Sequence, residues 1–408
     1  MGKNLLVGQS GGPTTAINAS LAGVICGGIK SDEIDKIYGA RYGVEGILKE
    51  NLVDMEEFND EFKIKLLMQT PSAYLGSCRK KLPSIEDDKE VYEHIKRVFE
   101  KYNIGYFFYI GGNDSMDTVN KLSRYFMEIN SDIRVIGIPK TIDNDLCLTD
   151  HTPGYGSAAK FVANTVKQVA HDNRVYDMPS ITIVEIMGRH AGWLAASAAL
   201  ANSDEEKYVD IICLPEVPID IDAIVNKINE LMKTKKQLII ALSEGVKTKD
   251  GVLLCEDTTL KADAKDGFNH AQLGGAGKTL EALLKKKVNV KMRAIELSTL
   301  QRCAATSASH TDISESFDIG NAGVEYALKG ETGVMIGYVR KESDSYEVEF
   351  KPFPASKVAN FEKPVPSDMI SEDKMDVTEK FYEYAKPLIT GVQNTYMENG
   401  IIKTITVK

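Results

Sequence analysis

A chain of 408 residues, 43% hydrophobic and 26% charged, is long enough for roughly two or three domains and has the composition of a globular protein. Its 59 acidic and 49 basic residues give a net charge of −10, which argues against broad nucleic-acid binding. No apolar run approaches the roughly 18 residues of a membrane span, so neither a nucleic acid nor a membrane is expected as a partner.

The six cysteines, Cys26, Cys78, Cys147, Cys213, Cys255 and Cys303, are scattered without a CxxC pair. That pattern fits free thiols in a reducing cytoplasm, not a disulfide frame or a zinc site. Met1 to Gly8 runs straight into a strand pattern, which leaves no room for a signal peptide. Leu6 stands where N-myristoylation needs Ser or Thr. A cytoplasmic location is therefore expected.

In chain order, Leu5-Leu-Val7 reads as a short strand ending in Gly8-Gln-Ser-Gly-Gly-Pro-Thr-Thr15, and Ala16 to Val24 reads as a helix. A strand, a glycine-rich turn and a helix make an anion site, because N–H groups and the helix dipole face the ligand. The turn lacks GxGxxG spacing, so a dinucleotide fold is not implied. A polar, linker-like stretch from Lys49 to Lys63 leads to Leu75-Gly-Ser-Cys-Arg-Lys-Lys81, three bases in a row after a glycine turn, a run that usually reads as solvated surface. A helix from Glu90 to Tyr102 precedes Ile104 to Ile110, an apolar run suited to a central strand. Gly111-Gly-Asn-Asp-Ser115 follows, after which Met116, Val119, Leu122 and Phe126 recur at helical spacing.

Ile133 to Ile138 is a further buried strand, ended by Pro139. Just past it stand Lys140, Thr141, Asp143 and Asp145, at the strand end where open α/β sheets bind ligands. Alternate residues of an extended segment share a face, so Thr141, Asp143 and Asp145 are expected to point one way. The other reading is a solvated loop with helix-capping aspartates. The repeated βα pattern implies a mostly parallel sheet.

His151 to Gly156 is rich in turn residues and leads to a helix from Ala158 to His171. Ile181 to Ile186 is a strand ending in Met187-Gly-Arg-His-Ala-Gly-Trp193, before a small-residue helix from Leu194 to Ala201. Ile211 to Leu214 and Gln237 to Leu242 follow, the latter finishing at Ser243-Glu-Gly245; these strands are expected to build a second α/β sheet. Leu273-Gly-Gly-Ala-Gly-Lys-Thr279 is not a P-loop, because Gln272 stands where the motif needs glycine. Lys291 to Arg302 carries two arginines, Arg293 and Arg302. The tail shows a strand (Val334 to Val339), an alternating stretch (Tyr346 to Phe350) and a helix near Thr378 to Leu388, without a catalytic pattern.

Taken together, Ser10-Gly-Gly12, Gly111-Gly-Asn-Asp-Ser115, Pro139-Lys-Thr-Ile-Asp-Asn-Asp145, Met187-Gly-Arg189 and Arg293 with Gln301-Arg302 resemble the phosphofructokinase family. The likeness runs through most of residues 4 to 325, and the Lys-Thr-Ile-Asp-Asn-Asp and Met-Gly-Arg pair at this spacing is its specific part. It implies an α/β protein of two Rossmann-like α/β/α domains with mostly parallel sheets, plus a C-terminal extension. Residues 1–150 with about 300–385 would bind the phosphoryl donor, and 151–299 with the C-terminal tail would bind the sugar phosphate. A homodimer or homotetramer is implied.

Members of the family that use ATP usually have glycine where this chain has Asp114 and Lys140, so both positions look like the pyrophosphate-dependent branch. The implied reaction is reversible transfer from diphosphate to the 1-hydroxyl of fructose 6-phosphate, with Mg²⁺. The resemblance makes Asp143 the base, supported by Thr141, and gives Mg²⁺ to Asp145 and Asp114. Gly11, Gly12 and Ser115 would hold diphosphate, with Lys140, Arg189 and Arg79 or Lys80 neutralising charge. Arg293 and Arg302, beside Gln301, would grip the sugar phosphate, and Met187, Gly188 and Glu244 would line the sugar.

The chain departs from the family pattern at Asn113 (usually Asp), Thr299 (often His), Cys303-Ala304 (usually Gly-Gly) and Ser180, where many members carry an arginine that reaches a neighbour's sugar site. An ATP-dependent sugar-phosphate kinase and a catalytically silent regulatory subunit are the competing readings. Asp114 and Lys140 speak against the first, and retention of Asp143 and Asp145 against the second.

Overall fold

A computed structural model describes residues 2–257 and 275–407. The first part of the chain alternates strand and helix: β1 (Lys3–Gln9), α1 (Ile17–Ile29), β2 (Ile34–Ala40), α2 (Gly43–Leu48), β3 (Leu52–Asp54), α3 (Glu61–Gln69), α4 (Lys89–Lys101), β4 (Ile104–Gly111), α5 (Asn113–Glu128) and β5 (Arg134–Pro139). The second part holds α6 (Tyr155–Asn173), β6 (Ser180–Ile186), α7 (Trp193–Ser197), β7 (Ile211–Cys213), α8 (Ile221–Leu231), β8 (Gln237–Ser243), α9 (Ala276–Lys285) and β9 (Lys291–Glu296). The chain then returns with α10 (His310–Leu328), β10 (Val334–Arg340) and β11 (Val348–Pro354), and ends in α11 (Glu379–Ala385) and a small hairpin, β12 (Met397–Glu398) and β13 (Ile401–Ile402).

Two sheets result. The larger runs β11-β10-β5-β4-β1-β2-β3 and the smaller β7-β8-β6-β9. Both are parallel except at the edges of the first, where β3 and β11 pair antiparallel. Strand alternation splits the first core in two: Leu5, Val7 and Phe108 face α1 and α10, while Leu6 and Phe107 face α4 and α5. α1 and α10 cross so closely that a Cβ on Gly23 would lie 1.9 Å from the Phe317 carbonyl oxygen, so only glycine fits there.

The second sheet is covered by α6 and α7 on one face and by α8 and α9 on the other. Val365, Val377, Phe381 and Leu388 of the C-terminal segment join its α6 face.

Register decides where the loops fall. Gln9 pairs with Ile110 and Gly111 with Pro139, so the turns after β1, β4 and β5 stand side by side. In the second sheet Ile186 pairs with Ser243, which sets Met187 beside Glu244. The C-terminal ends of the two sheets meet across one cleft.

The expected polar linker at 49–63 is instead β3 and the start of α3, with Met55 and Phe58 almost fully buried. Their isolated apolar side chains are hidden among charges in the sequence. Of the rejected P-loop segment, Leu273 and Gly274 lie outside the described residues. Gly277 lies in the first turn of α9, and its N–H donates to Glu185 Oε2 at 2.7 Å, so a carboxylate already occupies that helix start.

Candidate active site

The loop after β5 is shaped by its own backbone. The Lys140 N–H donates to the Gly111 carbonyl (2.9 Å), and the Asp143 N–H donates to Thr141 Oγ1 (3.1 Å). Asn144 takes a left-handed conformation (φ 55°) and turns its side chain away from the cleft to donate to the Tyr384 hydroxyl at 2.7 Å. Thr141, Asp143 and Asp145 consequently line one cleft with Gly11, Gly12, Arg79, Asp114, Ser115, Lys140, Met187, Arg189, Glu244 and Arg302.

Lys140 is 2% exposed and donates through Nζ to the Gly12 carbonyl. Burial pulls its pKa down to about 7, against the attraction of Asp143 and helped by the nearby Arg302 and Arg79. Burial likewise pushes Asp143 up to about 8, with Asp145 and Glu244 adding repulsion and Lys140 and Arg189 opposing. Asp145 and Glu244 are also raised, chiefly by burial. Arg79 is lowered by burial and by Arg302 and Arg189. Cations and carboxylates thus face each other across a cleft of about 440 Å³.

The glycines of the first turn are a spatial necessity. A Cβ on Gly11, itself at φ +75°, would lie 3.3 Å from Lys140 Nζ, and one on Gly12 would lie 3.2 Å from an Arg302 guanidinium nitrogen. Ser10 and Ser115 share a hydrogen bond that ties this turn to the one after β4. At the edge of the cleft formed by the start of α5, Lys81 Nζ pairs with Asp114 at 2.7 Å.

The sequence profile named Phosphofructokinase matches residues 4–326. This chain belongs to the phosphofructokinase family. Its relatives include the pyrophosphate–fructose 6-phosphate 1-phosphotransferase of Xanthomonas campestris, 39% identical over 99% of this chain and 96% of that protein. The enzyme of the same name from Methylococcus capsulatus is 37% identical over 99% of this chain and 96% of its own. A crystal structure of a pyrophosphate-dependent phosphofructokinase from Nitrosospira multiformis superposes with a TM-score of 0.88 at 34% identity, covering 100% of this chain and 98% of that one. The family assignment and the α/β fold read from the motifs therefore hold.

Not every residue expected in this phosphofructokinase site lies in the cleft. Lys80 is exposed and turned away, while its neighbours Arg79 and Lys81 line the cleft. The segment is not helical there, and residues two apart share a face. Gln301 is 1% exposed and stands behind the cleft: its Oε1 accepts from the Met187 N–H (3.1 Å) and its Nε2 donates to the Ser298 carbonyl. Gly188, at φ +133°, donates its N–H to Glu244 Oε1 at 3.4 Å, fixing that carboxylate.

Arg293 is outside the cleft altogether. It projects from mid-β9 onto Asp172 (3.2 Å) and Thr182 (3.3 Å), lining a separate depression of about 320 Å³. Conversely, Lys81, His190, Asn360 and Glu362 line the cleft and carried no sequence expectation. Alternation from Arg79 would have found Lys81. Nothing in the local pattern marks Asn360 or Glu362, which the tail delivers from far along the chain.

A metal cage is absent among the described residues, since no three His, Cys, Asp or Glu side chains converge on one point. Mg²⁺ needs none: it keeps several waters and binds through one or two carboxylates plus substrate phosphates. Burial raises Asp143 above its usual range, Asp145 and Glu244 add repulsion, and a cation would relieve that added repulsion, so the donor set fits.

Proposed function

We propose that this chain transfers a phosphoryl group from diphosphate to the 1-hydroxyl of fructose 6-phosphate, reversibly, giving fructose 1,6-bisphosphate and phosphate. The observation that carries the choice of donor is the filling of the donor end by Asp114, paired with Lys81, and by the buried Lys140 against Gly12.

The chemistry asks for positioning and charge neutralisation more than covalent catalysis. Asp143 accepts the proton of the 1-hydroxyl, whose oxygen bonds to the near phosphorus as the bridging P–O bond breaks and phosphate leaves. Lys140, Arg189, Arg79 and Lys81 neutralise the charge on the transferring and leaving groups from fixed positions around the cleft. Gly11, Gly12 and Ser115 donate to diphosphate. Thr141 steadies Asp143 through the Asp143 N–H. Asp145 and Asp114, the latter paired with Lys81, would hold Mg²⁺, which would supply further neutralisation of the donor's charge. Arg302 grips the sugar phosphate, as guanidinium forks suit phosphate oxygens, and Met187, Gly188 and Glu244 border the sugar.

The first sheet thus handles the donor and the second the sugar. Arg293, pointing away from its own cleft, serves the sugar site of a second copy in a homodimer or homotetramer.

The test is fructose 1,6-bisphosphate formation with Mg²⁺ and either diphosphate or ATP at matched concentration. Activity with diphosphate alone is expected, and Asp114→Gly with Lys140→Gly weakens the preference. Activity with ATP alone refutes the donor assignment; silence with both refutes catalysis.

A further inference from the structure

The wall of the cleft on the Asp114 side comes from the C-terminal segment beyond the family match. Asn113 opens α5 one residue before Asp114, and its side chain grips the backbone of that segment twice. Its Nδ2 donates to the Phe361 carbonyl at 2.5 Å, and its Oδ1 accepts from the Asn360 N–H. Asn360 sits at φ 67°, so the clamp holds a sharp local turn. Two further contacts lay the segment along the catalytic loop: Lys363 N–H donates to the Asp145 carbonyl (2.7 Å), and Leu146 bridges Glu362 antiparallel. The result is that Asn360 and Glu362 face the same cleft as Asp114, Asp145 and Lys140.

We propose that Asn113 is a positioning residue for donor length: it fastens 360–362 as a wall that admits two phosphoryl groups and leaves no room for a third. The proposal rests on diphosphate being the donor. An asparagine suits the task because one planar amide both donates and accepts. An aspartate would keep the bond from the Asn360 N–H but set a carboxylate oxygen against the Phe361 carbonyl. Glu362 adds a charge that repels a longer polyanion. Phe361 takes part through its backbone carbonyl, while Lys363 also anchors the segment by donating from Nζ to the Thr149 and Asp150 carbonyls (3.0 and 2.7 Å).

The experiment compares kcat/KM for diphosphate and for inorganic tripolyphosphate, with saturating fructose 6-phosphate and Mg²⁺, in wild type, Asn113→Ala and Glu362→Gln. Asn113→Ala is expected to raise the tripolyphosphate-to-diphosphate ratio at least tenfold, mainly through a lower KM for tripolyphosphate. Asn113→Asp should fall between it and wild type. Glu362→Gln, which leaves the clamp in place, should raise the ratio about threefold and decides the matter alone if Asn113→Ala fails to fold. Ratios within twofold of wild type in every folded variant overturn the proposal, as does a wild type that already uses tripolyphosphate as well as diphosphate. A wild type inactive with diphosphate strikes the functional reading itself, and this proposal with it.

Discussion

In the proposed reaction Asp143 takes the proton, and its surroundings shift its pKa. Asp143→Asn removes the proton acceptor while keeping shape, so kcat should fall about 10²–10⁴-fold with little change in KM for fructose 6-phosphate, read by steady-state kinetics. Glu244 is one of the charges that raise Asp143. Glu244→Gln removes that charge, stabilises the ionised Asp143 and should move the acid limb of kcat/KM to lower pH; an acid limb that stays put or rises would contradict this. At this scale much of the site was legible, because Asp143 and Asp145 obey strand-end placement and alternation. The same alternation applied to Arg79 would have chosen Lys81 over Lys80. Gln301 could not be told from a ligand-facing residue, since only its 1% exposure and its bond to the Met187 N–H reveal a support.

Among the elements, α11 reaches furthest from its place in the sequence. The Tyr384 hydroxyl accepts from Asn144 Nδ2 (2.7 Å) and donates to the Asp150 carbonyl (2.8 Å), bracing the catalytic loop from behind. Tyr384→Phe should cost about 1–3 kcal/mol of stability by thermal unfolding, for two bonds at about 0.5–1.5 kcal/mol each, and lower kcat severalfold. Beside it His151 lies between Asp150 (2.9 Å) and Glu315 (2.8 Å) and stacks on Tyr338. Burial disfavours its charge, yet the two carboxylates outweigh burial and raise its pKa. A raised folded value means its stabilisation is fully present below about pH 6.5, the ordinary histidine value, and fades as pH rises through the folded value. His151→Phe should therefore destabilise more at about pH 6 than at about pH 9 in denaturant titrations. None of this was readable beforehand: α10 shows small residues such as Gly320 and Gly323 in place of an apolar stripe, and α11 gains its meaning from partners more than 200 positions away.

At the level of the whole molecule, the two parallel sheets were visible in the repeated strand–loop–helix units, because buried parallel strands write themselves as apolar runs. The edge strands β3 and β9 were not, being short or largely polar on their outer faces. Arg293 belongs to this scale. If it serves a second copy, mixing Arg293→Ala subunits with Asp143→Asn subunits should restore activity that neither shows alone. Complementation that never exceeds the sum of the parents would confine each site to one chain.

The segment that walls the cleft and braces its loop follows the strands of both sheets in the chain. Asn360 and Glu362, which line the cleft, and Tyr384, which braces its loop from behind, are made only after both sheets. A nascent chain can fold its first sheet through β5, yet β10 and the wall residues are still missing from it. A chain interrupted before Asn360 would therefore lack the cleft wall, the brace at Tyr384 and the part of the second core that Val365, Phe381 and Leu388 supply.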